Sequence, residues 1–127
     1  MSFPFDPQYG LITVRAELEG PSGNAVLQLA LDTGATSTLI NVGMLVSIGY
    51  DPALEEERFQ VTTGSGVEFV PRVTLQKITA LGQEKKGFPV LCHTLPASAG
   101  VDGALGLDFL QGRTLTIDFS NGLITLA

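Results

Sequence analysis

One acidic side chain stands where an apolar run stops: Leu29-Ala30-Leu31 leads directly into Asp32-Thr33-Gly34-Ala35-Thr36. A carboxylate at the end of a buried segment costs free energy unless a partner or a reaction makes use of it. An ordinary turn aspartate would sit more cheaply outside the core. The chemistry open to such a group is proton transfer, as general base or general acid. A second glycine-rich stretch, Gly100-Val101-Asp102-Gly103-Ala104-Leu105-Gly106, is also entered from apolar sequence and leads into Leu107-Asp108-Phe109-Leu110. The pair of glycine turns suggests two halves of one domain crossing near a common centre. Asp102, in Val-Asp-Gly-Ala, mimics the first turn without its hydroxyl and reads as a turn residue or a substrate-facing carboxylate. Asp108 reads as a helix cap or a structural hydrogen-bond acceptor.

Other reactive residues form no constellation. Cys92 and His93 are adjacent, and adjacent residues of a strand point to opposite faces, so they cannot readily pair as nucleophile and base. One Cys and one His also fall short of a metal ligand set, so no metal and no cofactor is expected. The Gly100-x-x-Gly103-x-x-Gly106 spacing lacks the G-x-x-x-x-G-K-[ST] pattern and the basic residue of a phosphate loop.

The elements that must hold Asp32 are short strands. Residues 11–18 alternate apolar and polar, as a half-buried strand does, and 25–31 follow after the turn 20–24, which predicts a hairpin. Residues 37–40 predict a short strand, and 41–48 a short helix capped by Asn41 and stopped by Gly49 and Pro52. The run Glu55-Glu56-Glu57-Arg58 reads as a solvated face. Segments 59–63 and 67–70 flank Gly64-Ser65-Gly66 as a second hairpin with a glycine-rich tip. Residues 73–81 and 87–91 predict strands separated by the polar turn 82–86, and Asp108–Leu110 a helical turn. The chain closes on 115–119 and 123–126 around Asn121-Gly122, the strongest short-range hairpin signal. The sum is seven or more strands with one or two short helices, an all-β single domain over residues 1–127.

Bulk properties agree and exclude several classes. Apolar residues make up 44% of the 127 and charged ones 16%, enough apolar sequence for one packed core. The 15 glycines and seven prolines favour many turns over a helical bundle. A formal net charge of −6, with seven scattered Lys and Arg, argues against a nucleic-acid partner. A single cysteine allows no internal disulfide. Neither a secretory signal pattern at the start nor an apolar run of ~20 residues is present, so the expected location is the cytoplasm.

These elements together resemble the retropepsin-type aspartic proteases, and more closely their bacterial and cellular single-domain relatives than the viral ones. The likeness rests on LALDTGATSTLI at 29–40, VTTGSGVEFV at 61–70, GALGLDFL at 103–110 and LTIDFSNGLITL at 115–126, in the family's order and spacing. It implies a closed, barrel-like all-β fold and a homodimeric endopeptidase, because a chain with one Asp-Thr-Gly must borrow its second aspartate from a copy of itself. Two carboxylates a hydrogen bond apart would share one proton, activate a water and protonate the scissile carbonyl of an extended polypeptide, with no covalent intermediate.

By the same resemblance, Asp32 is the catalytic residue. Thr33 would bond across the two-fold axis, Gly34 would let backbones approach and donate to the carboxylate, and Ala35 would stay small beneath substrate. Thr63, Gly64, Ser65 and Gly66 would form a flap tip over the substrate, with Val61, Val101 and Leu105 as apolar pocket walls. Thr36 and Leu107 stand where viral members commonly carry Asp and Arg, so the viral bracing network has no counterpart in these residues. The alternative readings are a dimeric peptide-binding module of the same fold without useful catalysis, and a small-molecule-binding β-barrel with a cavity inside one chain.

Overall fold

The computed structural model describes residues 1–63 and 66–127. Six strands close a barrel in the order β2-β3-β9-β4-β8-β7: β2 Thr13–Gly20, β3 Gly23–Leu31, β4 Leu39–Ile40, β7 Arg72–Ala80, β8 Gln83–Cys92 and β9 Gly103–Leu105. β1 (Ser2–Pro4), β11 (Leu123–Leu126) and β10 (Leu115–Asp118) form a separate three-stranded antiparallel sheet. β5 (Phe59–Thr63) and β6 (Gly66–Val70) form an isolated hairpin. Two short α-helices, α1 (Val42–Ser47) and α2 (Leu107–Leu110), and two 3-10 turns, Pro52–Leu54 and Ala97–Ala99, complete the described elements. The all-β, closed-barrel expectation agrees with this architecture.

Alternation explains the barrel wall. Val14, Ala16 and Leu18 of β2 and Leu27 and Leu29 of β3 point inward, while Arg15, Glu17, Val26 and Gln28 face out. With Ile40, Leu75, Ile78, Leu105 and Phe109 they fill the interior as one packed core. Phe109 meets Phe88 edge to face at 5.8 Å between ring centroids.

Several boundaries differ from the sequence reading, each for a local reason. The expected polar turn 82–86 contracts to Leu81-Gly82, both at positive φ, and β8 begins at Gln83 opposite Ala80. Residues 83–86 are polar yet pair with β7, because this end of the barrel wall leaves Glu84 and Lys86 exposed and Gln83 and Lys85 half-buried, so polar side chains are tolerated while their backbones complete the ladder. The β7–β8 ladder skips Gln76 and Gly87, and the inward phase shifts from Leu75 to Ile78. Gly87, at φ 61°, supplies the left-handed backbone this corner needs. The displaced Gln76 N–H donates instead to the Tyr50 hydroxyl, which itself donates to the Glu19 carbonyl.

Asn41 does occupy the position before α1, but its side chain accepts from the Leu95 N–H, and Thr94 Oγ1 accepts from Val42 N–H at the helix start. The last hairpin turns through four residues, not an Asn-Gly pair. Asp118 Oδ1 accepts from the Ser120 and Asn121 N–H groups and holds the loop, so β10 stops at Asp118. β1 has no signal in the sequence, since its three residues form a strand only by pairing with the far end of the chain.

Candidate active site

The barrel presents Asp32 at the end of β3. Asp32 N–H donates to the Leu105 carbonyl of β9 at 3.0 Å, which pins the turn to the central parallel pair β3–β9. Ala35 N–H donates back to the Asp32 carbonyl, and Leu107 N–H to that of Ala35, so the loop is tied to the start of α2. The Gly34 N–H donates to Asp32 Oδ1 at 2.9 Å, and a Cβ on Gly34 would come within 3.2 Å of that oxygen. Asp32, Thr33 and Gly34 are nonetheless exposed to solvent in the single chain. A carboxylate is thus delivered to the surface by the half-buried β3 and the fully buried β9.

A polar clasp sets the second half of the loop. Thr38 is completely buried, and its amide and hydroxyl both donate to the Asp108 carboxylate, the hydroxyl at 2.7 Å. The same hydroxyl accepts from Gly106 N–H at 3.1 Å. Asp108 is therefore a structural acceptor, and the N-cap position of α2 is Gly106. A Cβ on Gly106 would lie 2.7 Å from the Ala35 carbonyl oxygen, so only glycine allows this approach. Sequence reasoning passed over Thr38, whose sole signal was a hydroxyl in a buried run. Thr38→Val removes the hydroxyl that donates to a carboxylate and orphans the buried Gly106 N–H. A loss of about 2–4 kcal/mol in unfolding free energy, measured by urea denaturation, is expected.

Above Asp32 lies a cleft of about 370 Å³. It is lined by Asp32 and residues 34–37 of the loop, by Gln60, Val61 and Thr62 of β5, and by Leu39 and Leu91. The hairpin's footing is a small apolar cluster of Val61, Val70 and Leu91 packed by Leu39 and Phe59. Glu68 on β6, opposite Val61 in register, approaches His93 Nε2 at 3.5 Å and connects the hairpin to the end of β8.

The remaining sequence candidates distribute as follows. Thr63 pairs with Gly66 at the end of the β5–β6 ladder, whereas Gly64 and Ser65 lie outside the described residues. Val61 lines the cleft; Val101 and Leu105 do not line it within one chain. Leu105 is fully buried in the barrel core, and Val101 is also buried. Asp102 Oδ2 accepts from Gln28 N–H at 3.0 Å, and its backbone bonds Gln28 and Asn41, so it ties strands together.

Cys92 is buried, and desolvation pushes its thiol up to about 11, which keeps it protonated and poorly nucleophilic at neutral pH. No group of three or more potential metal ligands occurs among the described residues. A larger cleft of about 540 Å³ lies between β1 and the barrel, but it includes no residue of the Asp32 loop. Its one guanidinium, that of Arg15, is already paired with Glu17. None of the described helices is long and apolar enough to cross a membrane.

Comparison with known proteins agrees with this geometry. Residues 21–112 match the family described as "gag-polyprotein putative aspartyl protease". Among solved structures, a retropepsin-like aspartic protease from Rickettsia conorii superposes with a TM-score of 0.74 at 19% identity, covering 99% of this chain and 88% of that one. The retroviral protease-like domain of Ddi1 from Leishmania major superposes with a TM-score of 0.55 at 16% identity, covering 94% of this chain and 96% of that one. No curated protein matches the sequence. At these identities the structural likeness speaks for the fold, which is the retropepsin-like one.

Proposed function

This chain belongs to the gag-polyprotein aspartyl protease family, and from that premise we propose that it is a homodimeric aspartic endopeptidase with Asp32 of each copy as its catalytic pair. The observation that carries the reading is the exposed Asp32 carboxylate. It sits in a loop braced by Leu105 and Gly34, in a cleft that Gln60, Val61 and Thr62 of β5 also line. A rigid loop that leaves its acid at the surface suits a site completed by a second copy.

In that dimer the two carboxylates share a proton, since both cannot ionise at hydrogen-bond distance. The ionised one draws a proton from a water lying between them, and the water oxygen attacks the scissile carbonyl carbon. The protonated one donates to the carbonyl oxygen, giving a gem-diol. Proton return to the leaving nitrogen breaks the C–N bond and restores the pair. Thr33 bonds across the two-fold axis and keeps the carboxylates coplanar, and Ala35 leaves room for the substrate. The β5–β6 hairpin closes over an extended polypeptide, which adds as a strand. Val61, which lines the cleft, favours an apolar side chain beside the cut, whereas Leu105, fully buried in the barrel core, supports the loop from beneath and does not meet substrate.

Cleavage-site profiling of a peptide library, with and without a statine-type mimic of the gem-diol, tests the activity. Cuts between apolar residues that the mimic suppresses are expected. Specific activity should also fall on dilution, in step with the dimer fraction seen by sedimentation. A chain that stays monomeric at every concentration and still cuts peptides contradicts the proposal.

A further inference from the structure

A second recess of about 310 Å³ adjoins the cleft beside Asp32: it shares Ser37, Gln60 and Leu91 with it and adds Phe59, Arg72, Pro89 and Asp108. An extended chain lying over Asp32 would therefore run on towards Arg72. Arg72 opens β7 opposite Leu91, and its guanidinium carbon stands 4.1 Å above the Phe59 ring centroid. Stacking engages the flat face of a guanidinium and leaves its in-plane N–H fork open for a planar acceptor.

The charges in the recess are unequally satisfied. Asp108 already accepts from the Thr38 amide and hydroxyl. Among the described residues the ion pairs are Arg15–Glu17, Lys77–Glu19 and His93–Glu68, so no described carboxylate lies within salt-bridge distance of Arg72. An exposed guanidinium held over an aromatic ring, with no described carboxylate in salt-bridge distance and in a recess adjoining the candidate catalytic acid's cleft, can receive an anion.

We propose that Arg72 is a specificity residue that reads a carboxylate on the bound polypeptide, carried by an Asp or Glu a few residues from the cut bond. The inference rests on the endopeptidase reading for its substrate, and it adds an acidic position to the apolar ones beside the cut. Arg–carboxylate recognition is bidentate and strengthens as the bound chain excludes water.

The test is a peptide set carrying Glu, Gln or Lys in turn at each position flanking a mapped cut, each made with a free and an amidated C-terminus. At one position Glu should exceed Gln by about tenfold in kcat/KM. That ratio should collapse towards one in Arg72→Ala, persist in part in Arg72→Lys, and give way to a Lys preference in Arg72→Glu. A preference that follows the free terminus instead would assign the carboxylate to the chain end and overturn the side-chain reading. Equal rates for Glu and Gln in the wild type, a ratio that survives Arg72→Ala, or a wild-type preference for Lys would each overturn it as well.

If no peptide is cut, the endopeptidase reading fails by itself, and fluorescence anisotropy with the same peptides decides the recess. Tighter binding of the Glu peptide, lost in Arg72→Ala, supports the site, and equal binding refutes it.

Discussion

Asp32→Asn is expected to lower peptide hydrolysis by about 10³- to 10⁴-fold while leaving the chain folded. The fold should survive because Asp32 is exposed and its carboxylate makes a single described contact, from the Gly34 N–H, which an amide oxygen can also accept. What the amide cannot do is hold the shared proton or accept one from water. Circular dichroism and thermal melting should therefore match the wild type while turnover disappears.

Mixing the two chains sharpens the prediction. If each site needs Asp32 from both copies, an equal mixture at fixed total concentration keeps about a quarter of the wild-type activity after subunit exchange, the share of pairs with two carboxylates. A chain that acts alone would keep about half. The binding-module alternative predicts no difference between wild type and variant in any cleavage assay, and unaltered peptide binding. An Asp32→Asn protein that still cuts would remove the basis of the proposed mechanism.

Phe109→Ala should produce the largest loss of stability, about 3–5 kcal/mol. Phe109 is wholly buried, packs edge-on against Phe88, and belongs to a four-residue helix too short to persist without tertiary packing. Against the 5–15 kcal/mol typical of a domain, such a loss is a large fraction. A fall in Tm of about 10–20 °C by calorimetry is expected. The effect should also reach the site. Asp108 precedes Phe109 on the same turn and holds Thr38, so loosening α2 loosens the loop that carries Asp32. Peptide binding should weaken at temperatures where the variant remains folded. A shift in Tm below about 3 °C would mean that the barrel's end does not depend on this ring.

Much of this was legible before any coordinates. The alternation in β2, the apolar run of β3 and the glycine-tipped segments at 61–70 named the strands that build the site. The Asp-Thr-Gly turn with the later Gly-x-x-Gly-Leu-Asp-Phe-Leu stretch indicated the family. Local chemistry misled where long-range pairing prevailed. Residues 83–86 look like a polar turn, but their backbones complete a ladder with β7. β1 carries too little pattern to be recognised apart from β11. Asn41 has the composition of a cap, yet a neighbouring loop claims its side chain.

By itself, then, the sequence determined the element types, the presence of a lone acid at a strand end, and the glycines that let Asp32's loop pack tightly. These follow from backbone sterics and side-chain alternation, which act over a few residues. Only the tertiary structure decided that Thr38 and Asp108, 70 positions apart, clasp the loop. It also brought Gln60, Val61 and Thr62 into one cleft with Asp32 and left Arg72 over the Phe59 ring with no described carboxylate in salt-bridge distance. Such meetings depend on how the barrel closes, because hydrogen bonding and charge pairing require positions in space that residue spacing does not encode.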